Sequence, residues 1–297
     1  MVVAIVFQKN LFGHDKSRFY TSKIYFNLGE VALVNKLNKT VAKFPQVTFG
    51  SYPELFHRFC CCYVSDTISA PWMYVNRLSP PILSLFNNAL DTLEQLFRKI
   101  QVMIFKPEEV CLCYNGGKDC LVALHITHAY MSKHFPDKRI QAVYITEKNA
   151  FPYVTEFVHE SINRYDLDCE IVPGPMKTAL SSLLVNRPSI KAVIMGTRRV
   201  DPSGESLDVF SPTDGDWPPL MRVNPILEWK YDEIWSFIRQ LYLPYCSLYD
   251  RGYTSLGSLD NTLPNPALER RDALGRVTYL PAYHLGDANL ERKGRVF

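Results

Sequence analysis

The sequence predicts an α/β fold: a doubly wound, mostly parallel sheet with helices on both faces, preceded by a partial α+β N-terminal segment. Two observations carry this. From Pro107 onward, short continuous apolar runs alternate with longer stretches of helical periodicity, and the links between successive runs are too long for hairpins. The first apolar run then meets the first helical stretch at a paired glycine, Gly116-Gly117, where an open parallel sheet places its ligands.

Composition agrees. The 297 residues are 47% hydrophobic and 21% charged, ordinary globular values that exclude global disorder and a coiled-coil rod. Thirty-three Lys and Arg against thirty Asp and Glu leave a net charge of +3. That balance argues against binding nucleic acid by bulk charge, although a local basic cleft survives it. No apolar run approaches the ~18 residues that span a bilayer, and the opening Val2–Phe7 run is too short for a secretory leader. The expectation is a soluble cytoplasmic protein that takes small-molecule substrates and neither nucleic acid nor membrane. Lys9, Lys16 and Arg18 leave a mitochondrial or nuclear pool open. The eight cysteines form no CxxC pair, so neither a zinc ribbon nor a thioredoxin-type site is expected. The triple Cys60-Cys61-Cys62 reads as free thiols on a partly buried segment rather than as a metal or acylation site.

Element by element, the front part (residues 1–106) reads as an extended stretch around Ser22–Phe26, a helical one over Val31–Lys43 and a turn-rich Phe49–Pro53. A loop over Asp66–Pro81 follows, then an amphipathic helix from Ile82 to Ile100. The second part (107–297) opens with the buried strand Val110–Tyr114 and a helix over Leu121–Phe135. Strands at Ile140–Ile145, Cys169–Val172 and Ile190–Met195 alternate with helices at Tyr153–Tyr165 and Met176–Leu184. A last helix carries Tyr231, Ile234, Trp235, Ile238 and Leu241 on one face. Its aromatic residues are read as core.

The chemistry concentrates at Asn115-Gly116-Gly117-Lys118-Asp119-Cys120, between first strand and first helix. Paired glycines let backbone N–H groups approach a phosphate, and the helix N-terminus adds the positive end of its dipole. Lys118 neutralises phosphate charge. Asp119 caps the helix or orients magnesium or the nucleotide. The segment is neither a GxxxxGK[ST] loop nor a GxGxxG fingerprint, and Gly-Gly-Lys-Asp is also a plain turn. Its place in the strand–helix series favours the phosphate reading.

Together with its strand, Tyr114–Cys120 resembles the pyrophosphate-binding loop of the adenine-nucleotide α-hydrolase (PAPS-reductase-like) superfamily, in the version of eukaryotic FAD synthases. Further segments resemble that family, in its animal form, in the same order: Met195-Gly196-Thr197-Arg198-Arg199-Val200-Asp201-Pro202, Phe210–Asp214, Trp217-Pro218, Met221–Pro225, Pro244–Cys246, Leu248–Gly257 and Asn265–Leu268. The likeness covers roughly residues 107–297. It implies adenylyl transfer from ATP to FMN, giving FAD and pyrophosphate, with Mg2+, and apo-flavoproteins as recipients of the product. It implies catalytic roles for Asn115, Lys118, Asp119, Asp201, Arg292 and Arg295. Substrate contacts would come from Tyr114, Asn115, Gly116, Gly117, Lys118, Gly196, Arg198, Arg199, Asp201 and Trp217, the last packing on the isoalloxazine ring. Asp119 and Asp201 are the implied metal ligands, and Asp201, near a cationic cluster, is expected to hold a depressed pKa. Plainer alternatives stand beside these: Arg198 and Arg199 as solvated loop charges, Trp217 as core, and Arg292 and Arg295 as a solvated end.

Rival readings have less support. A sulfonucleotide reductase needs a reactive cysteine near its C-terminus, and no cysteine follows Cys246. A tRNA-thiolating enzyme wants paired cysteines and a basic surface. A catalytically silent flavin- and adenine-nucleotide-binding regulatory protein is the alternative from another class. Residues 22–56 look similar to the last part of a molybdopterin-binding-like domain whose glycine-rich front half is missing. The segment is therefore expected to be a partial, structurally supporting or poorly ordered one, without FAD hydrolase activity of its own.

Overall fold

The computed structural model describes the backbone of residues 2–9, 20–26 and 48–54, together with residues 75–99, 105–202, 204–271 and 274–296. Two compact units divide the chain, Met1–Ser69 and Ala70–Phe297. The boundary expected from composition near Pro107 lies inside the second of these.

In the first unit β1 (Val2–Lys9) is the middle of a three-stranded antiparallel sheet, flanked by β2 (Tyr20–Phe26) and β3 (Thr48–Glu54). Ile5 lies opposite both Ile24 and Ser51. The extended stretch expected around Ser22–Phe26 is β2. Phe49–Pro53, expected as turn, is instead strand. Pro53 sits opposite Val3 on an edge strand, where a missing N–H donor is tolerated. The helical stretch over 31–43 and the Cys60–Cys62 triple lie outside the described residues.

The second unit opens with α1 (Pro80–Glu94), whose prolines occupy the first helical turn, where their missing N–H groups cost nothing. It continues into a π-helical turn over Gln95–Lys99. Ile82, Phe86, Ala89 and Leu93 form the buried stripe that the periodicity predicts. This stripe packs the helix on the downstream layers.

Those layers are the predicted α/β series: β4 (Val110–Cys113), α2 (Lys118–His134), β5 (Gln141–Thr146), α3 (Pro152–Arg164), β6 (Asp168–Pro173), α4 (Met176–Asn186) and β7 (Ala192–Ile194). Two short strands missing from the sequence reading, β8 (Phe210–Pro212) and β9 (Met221–Val223), complete the sheet, and α5 (Tyr231–Gln240) follows. A two-stranded hairpin, β10 (Glu269–Arg271) with β11 (Val277–Tyr279), stands apart from the sheet. The six strands run β6-β5-β4-β7-β9-β8, parallel throughout except for β8 against β9.

Alternation along β4 shows why its run is apolar throughout. Leu112 belongs to the large core that also holds residues of α1, α2, α3 and α5, while Cys111 and Cys113 belong to a second core with Ala179, Leu180 and Leu183 of α4. Both faces of the strand are therefore buried, as in a doubly wound sheet. Strands β5 and β6 extend from β4 to one side and β7 lies on the other, so the chain reverses direction across the sheet between β4 and β7. A crevice opens beyond the strand carboxyl ends at such a reversal.

Helix α2 carries His125, which is buried, and His128, which is half-buried. Burial pushes the pKa of His125 down to about 3 and that of His128 to about 4, and the His125 Nδ1 meets the Tyr165 hydroxyl at 3.2 Å. A histidine whose folded pKa is depressed binds protons more readily when unfolded, so its contribution is complete above about 6.5 and is lost as pH falls toward the folded value. Urea unfolding across pH 7 to 4 should show this decline, with a shallower slope in a His125→Gln, His128→Gln variant. An unchanged slope would assign the acid sensitivity elsewhere.

Candidate functional site

A cavity of about 740 Å³ lies where the sheet topology places it, within the size range of small-molecule sites. Asn115 and Gly117–Cys120 line one side, Thr146–Lys148 after β5 and Met195–Thr197 after β7 line others, and Glu291, Arg292 and Arg295 close it. Local sequence explains the loop. Gly116 has a φ of +75°, and a Cβ there would come within 2.9 Å of Val158 Cγ2, so the turn pressed on α3 requires glycine. Asn115 Oδ1 accepts the Gly117 N–H at 2.9 Å, which starts α2 at Lys118. Gly196 permits a close approach: a Cβ there would meet the backbone N of Cys120 at 2.7 Å. The turn after β7 thus rests directly on the start of α2. Burial pushes the Cys120 thiol up to about 12, so it carries no nucleophilic thiolate.

Behind the loop lies a buried ionic cluster. The Lys118 ammonium, 2% exposed, holds Asp119 Oδ2 at 2.9 Å and Glu291 Oε1 at 2.5 Å, and stands 5.3 Å from the centre of the Tyr231 ring. Arg198 is fully buried. Its Nη2 donates to both Glu291 oxygens at 2.7 Å, and its Nε lies 2.9 Å from Asp119 Oδ1. The Arg198 backbone N–H donates to Asp201 Oδ2 at 2.8 Å. Burial opposes the charge on Lys118, Arg198 and Glu291, but the attraction of Asp119 and Glu291 for the two cations outweighs it. Both cations stay raised and Glu291 stays lowered.

Asp201 departs from expectation. Its pKa is raised, because burial and the neighbouring Asp119 charge outweigh the attraction of Arg198 and Lys118. The cation pair is already committed to Asp119 and Glu291, so little of its field is left for Asp201.

The structure brings most of the predicted residues together. Tyr114, Asn115, Gly117, Lys118, Asp119, Gly196, Asp201, Arg292 and Arg295 line the cavity. Tyr114 is anchored by a hydrogen bond from its hydroxyl to Ser161 Oγ, at 2.8 Å. Gly116 and Arg198 sit behind the lining. Arg199 stands away from it, paired with Glu228 and donating to the Glu205 and Leu207 carbonyls. Trp217 packs, half-buried, against the second core, and its neighbour Asp216 pairs with Lys177 at 2.5 Å.

Two residues escaped the sequence reading. Glu291 is the single carboxylate in the basic run Glu291-Arg292-Lys293-Gly294-Arg295, and that isolation was its only signal. Tyr249, 1% exposed, accepts the Lys118 N–H on its hydroxyl at 2.8 Å.

With this geometry stands a set of relatives. Residues 109–183 and 173–264 match the phosphoadenosine phosphosulfate reductase domain family, and residues 18–63 match the FAD synthase middle domain. The chain is 41% identical over 197 residues to a probable FAD synthase of Schizosaccharomyces pombe, covering 64% of this chain and 73% of that one. Against the flavin adenine dinucleotide synthase of Saccharomyces cerevisiae the identity is 34% over 250 residues, covering 63% and 82%. The chain belongs to the eukaryotic FAD synthase family. Another member of this FAD synthase family, a probable FAD synthase of Caenorhabditis elegans, is 35% identical over 309 residues, with 92% of this chain and 59% of that one covered. The chain thus spans about three fifths of the length of its Caenorhabditis relatives. Among solved structures, Candida glabrata FMN adenylyltransferase in complex with FMN and the ATP analogue AMPCPP superposes with a TM-score of 0.68 at 25% identity, over 76% of this chain and 96% of that chain. The middle-domain match includes β2 and β3, within the segment read from sequence as similar to a molybdopterin-binding-like domain.

Proposed function

We propose that this chain transfers the AMP moiety of ATP to FMN, giving FAD and pyrophosphate. The observation that carries the reading is one cavity in which the loop at Asn115–Lys118 and the arginines Arg292 and Arg295 face a common space. In adenylyl transfer an FMN phosphate oxygen attacks the α-phosphorus of ATP, the bond from that phosphorus to the bridging oxygen breaks, and the electron pair leaves with pyrophosphate. The FMN phosphate is itself the nucleophile, so the protein supplies alignment and positive charge. The positive end of the α2 dipole faces the leaving pyrophosphate; the Gly117 N–H is taken by Asn115 Oδ1 and the Lys118 N–H by the Tyr249 hydroxyl. Arg292 and Arg295 cover the phosphates from the opposite wall. Lys118 and Arg198 are fixed under the loop by Asp119 and Glu291, while Arg199 and Trp217 stand outside the residues that line this cavity.

Asp119 and Asp201 suit magnesium on one structural ground: the cluster sets Lys118 and Arg198 against Asp119, Asp201 and Glu291, an excess of one negative charge. Among the described residues no group of three His, Cys, Asp or Glu is arranged to hold a metal alone. Magnesium bound through one or two carboxylates and substrate phosphates does not need one. Magnesium, when bound, would screen the triphosphate charge. The reading carries with it apo-flavoproteins as recipients of FAD and a cytosolic setting; among the described residues no helix is long and apolar enough to cross a membrane.

The test is FAD formation from FMN, ATP and magnesium by the intact chain, alongside Asp201→Ala and Lys118→Ala compared at equal folded fraction. Each variant should lose about a hundredfold in rate. An intact chain that binds FMN and makes no FAD would instead support the silent regulatory reading.

A further inference from the structure

We infer that the Tyr249 hydroxyl is a further ligand-binding group of this site, donating its proton in a hydrogen bond to a phosphate oxygen of the nucleotide; the inference rests on the adenylyl-transfer reading. Tyr249 stands at the start of α2. Its hydroxyl oxygen accepts the Lys118 N–H at 2.8 Å and lies 3.8 Å from where a Cβ on Gly117 would be. The residue is buried yet contributes to the cavity wall. Its ring is held edge-on by Trp235, with centroids 5.2 Å apart at 82°, and by Tyr245 at 6.4 Å and 69°. Packing on two sides fixes where the hydroxyl sits.

A phenol is both an acceptor and a single donor. The acceptor side of Tyr249 is taken by Lys118. Its proton has no protein acceptor among the described residues. A buried hydroxyl with an idle donor costs free energy unless water or a ligand takes the bond. Burial, and then the charge of Asp119, hold its pKa well above the usual tyrosine value, so the proton is retained at neutral pH. The N–H that Tyr249 accepts comes from the first residue of α2, at the positive end of the helix dipole. Accepting there polarises the O–H and makes it a stronger donor to an anion. The hydroxyl thus passes the character of the helix end into the cavity, where its natural acceptor is an oxygen of a phosphate or pyrophosphate.

Calorimetric titration of the intact chain and of Tyr249→Phe with ATP and with adenosine tests the contact. The phenylalanine ring keeps the packing on Trp235 and Tyr245 and deletes only the hydroxyl. ATP affinity should fall about 10- to 100-fold, as for loss of a hydrogen bond to a charged group, while adenosine affinity stays within twofold. Equal losses for both ligands would mean that the hydroxyl only shapes the loop, and unchanged ATP affinity would mean that it touches no phosphate. Either result overturns the inference. Where the phenylalanine variant does not fold, 3-fluorotyrosine at position 249, with a more acidic hydroxyl, should tighten ATP and leave adenosine unaltered; no change in ATP overturns it equally. FAD formation by the wild-type chain is the control: its failure removes the adenylyl-transfer reading itself, whereas FAD formation with an unaffected Tyr249→Phe removes only this contact.

Discussion

Glu291→Ala should destabilise the second unit by about 3–5 kcal/mol, the range measured when one partner of a buried ion pair is removed. The reason is charge left behind. Lys118 and Arg198 are both buried, and Glu291 is the carboxylate that meets them both, at 2.5 Å and 2.7 Å, from a side chain itself only 9% exposed. Without it the two buried cations are left with Asp119 and, for Arg198, the more distant Asp201 at 3.8 Å. For a unit of this size the cost corresponds to a fall of roughly 6–20 °C in Tm. Glu291→Gln isolates the charge from the shape. A glutamate whose folded pKa is lowered contributes stability that is complete above the ordinary glutamate range and lost as pH falls through the folded value. Wild-type stability should therefore decline on the acid side, and Glu291→Gln should be less stable at neutral pH with a flatter acid limb. Thermal unfolding from pH 8 to pH 4 reads both quantities. Equal Tm values for wild type and Glu291→Ala at neutral pH would show that the cluster relaxes around the loss.

The second large effect is expected for activity with little change in stability. Arg292 and Arg295 line the cavity together, and burial followed by the like charge of Arg292 lowers the pKa of Arg295. Arg295 is tethered by an Nη1–H bond to the Leu256 carbonyl at 2.7 Å, while its buried Nε–H has no partner among the described residues. Two cations held side by side with a donor to spare form a site for an anion, and the phosphates of two polyanionic substrates match it. A double Arg292→Ala, Arg295→Ala variant should lose about a thousandfold or more in kcat/KM for FAD formation, the scale at which arginines act on transferring phosphoryl groups. Its Tm should move by only a few degrees, because one tether to a carbonyl is all that is lost. Activity within tenfold of wild type would remove the arginines from the reaction.

How legible these features were in the sequence follows from how each is encoded. β4, β5 and β7 are buried, so their apolar runs stand out, while β6, on the edge of the sheet, buries only Val172. β8 and β9 bury only one of their three residues each, so no apolar run marks them, whereas the equally short β7 buries all three. In β3, Gly50 and Pro53 carry turn chemistry, and only pairing with β1, more than forty residues away in sequence, makes the segment a strand. The loop at Asn115–Lys118 was legible because its chemistry is local. Glu291 was not, since its meaning lies 173 residues away at Lys118. The adjacent Arg198 and Arg199 make the point most sharply. They give one signal in sequence, yet one is sealed among three carboxylates and the other is paired with Glu228 outside the cavity. Which of two neighbours faces inward is decided by the turn after β7.

The contact between Lys118 and Glu291 also orders events during synthesis. At about 5–20 residues per second, the 173 residues between them take roughly nine to thirty-five seconds to translate. Within that interval Arg198 and the strands β5 to β9 are made in turn, but until it ends Lys118 and Arg198 lack the carboxylate that meets them both. A nascent chain must keep this end of the sheet hydrated until residue 291 emerges, so the nucleotide crevice is among the last parts of the fold to dry.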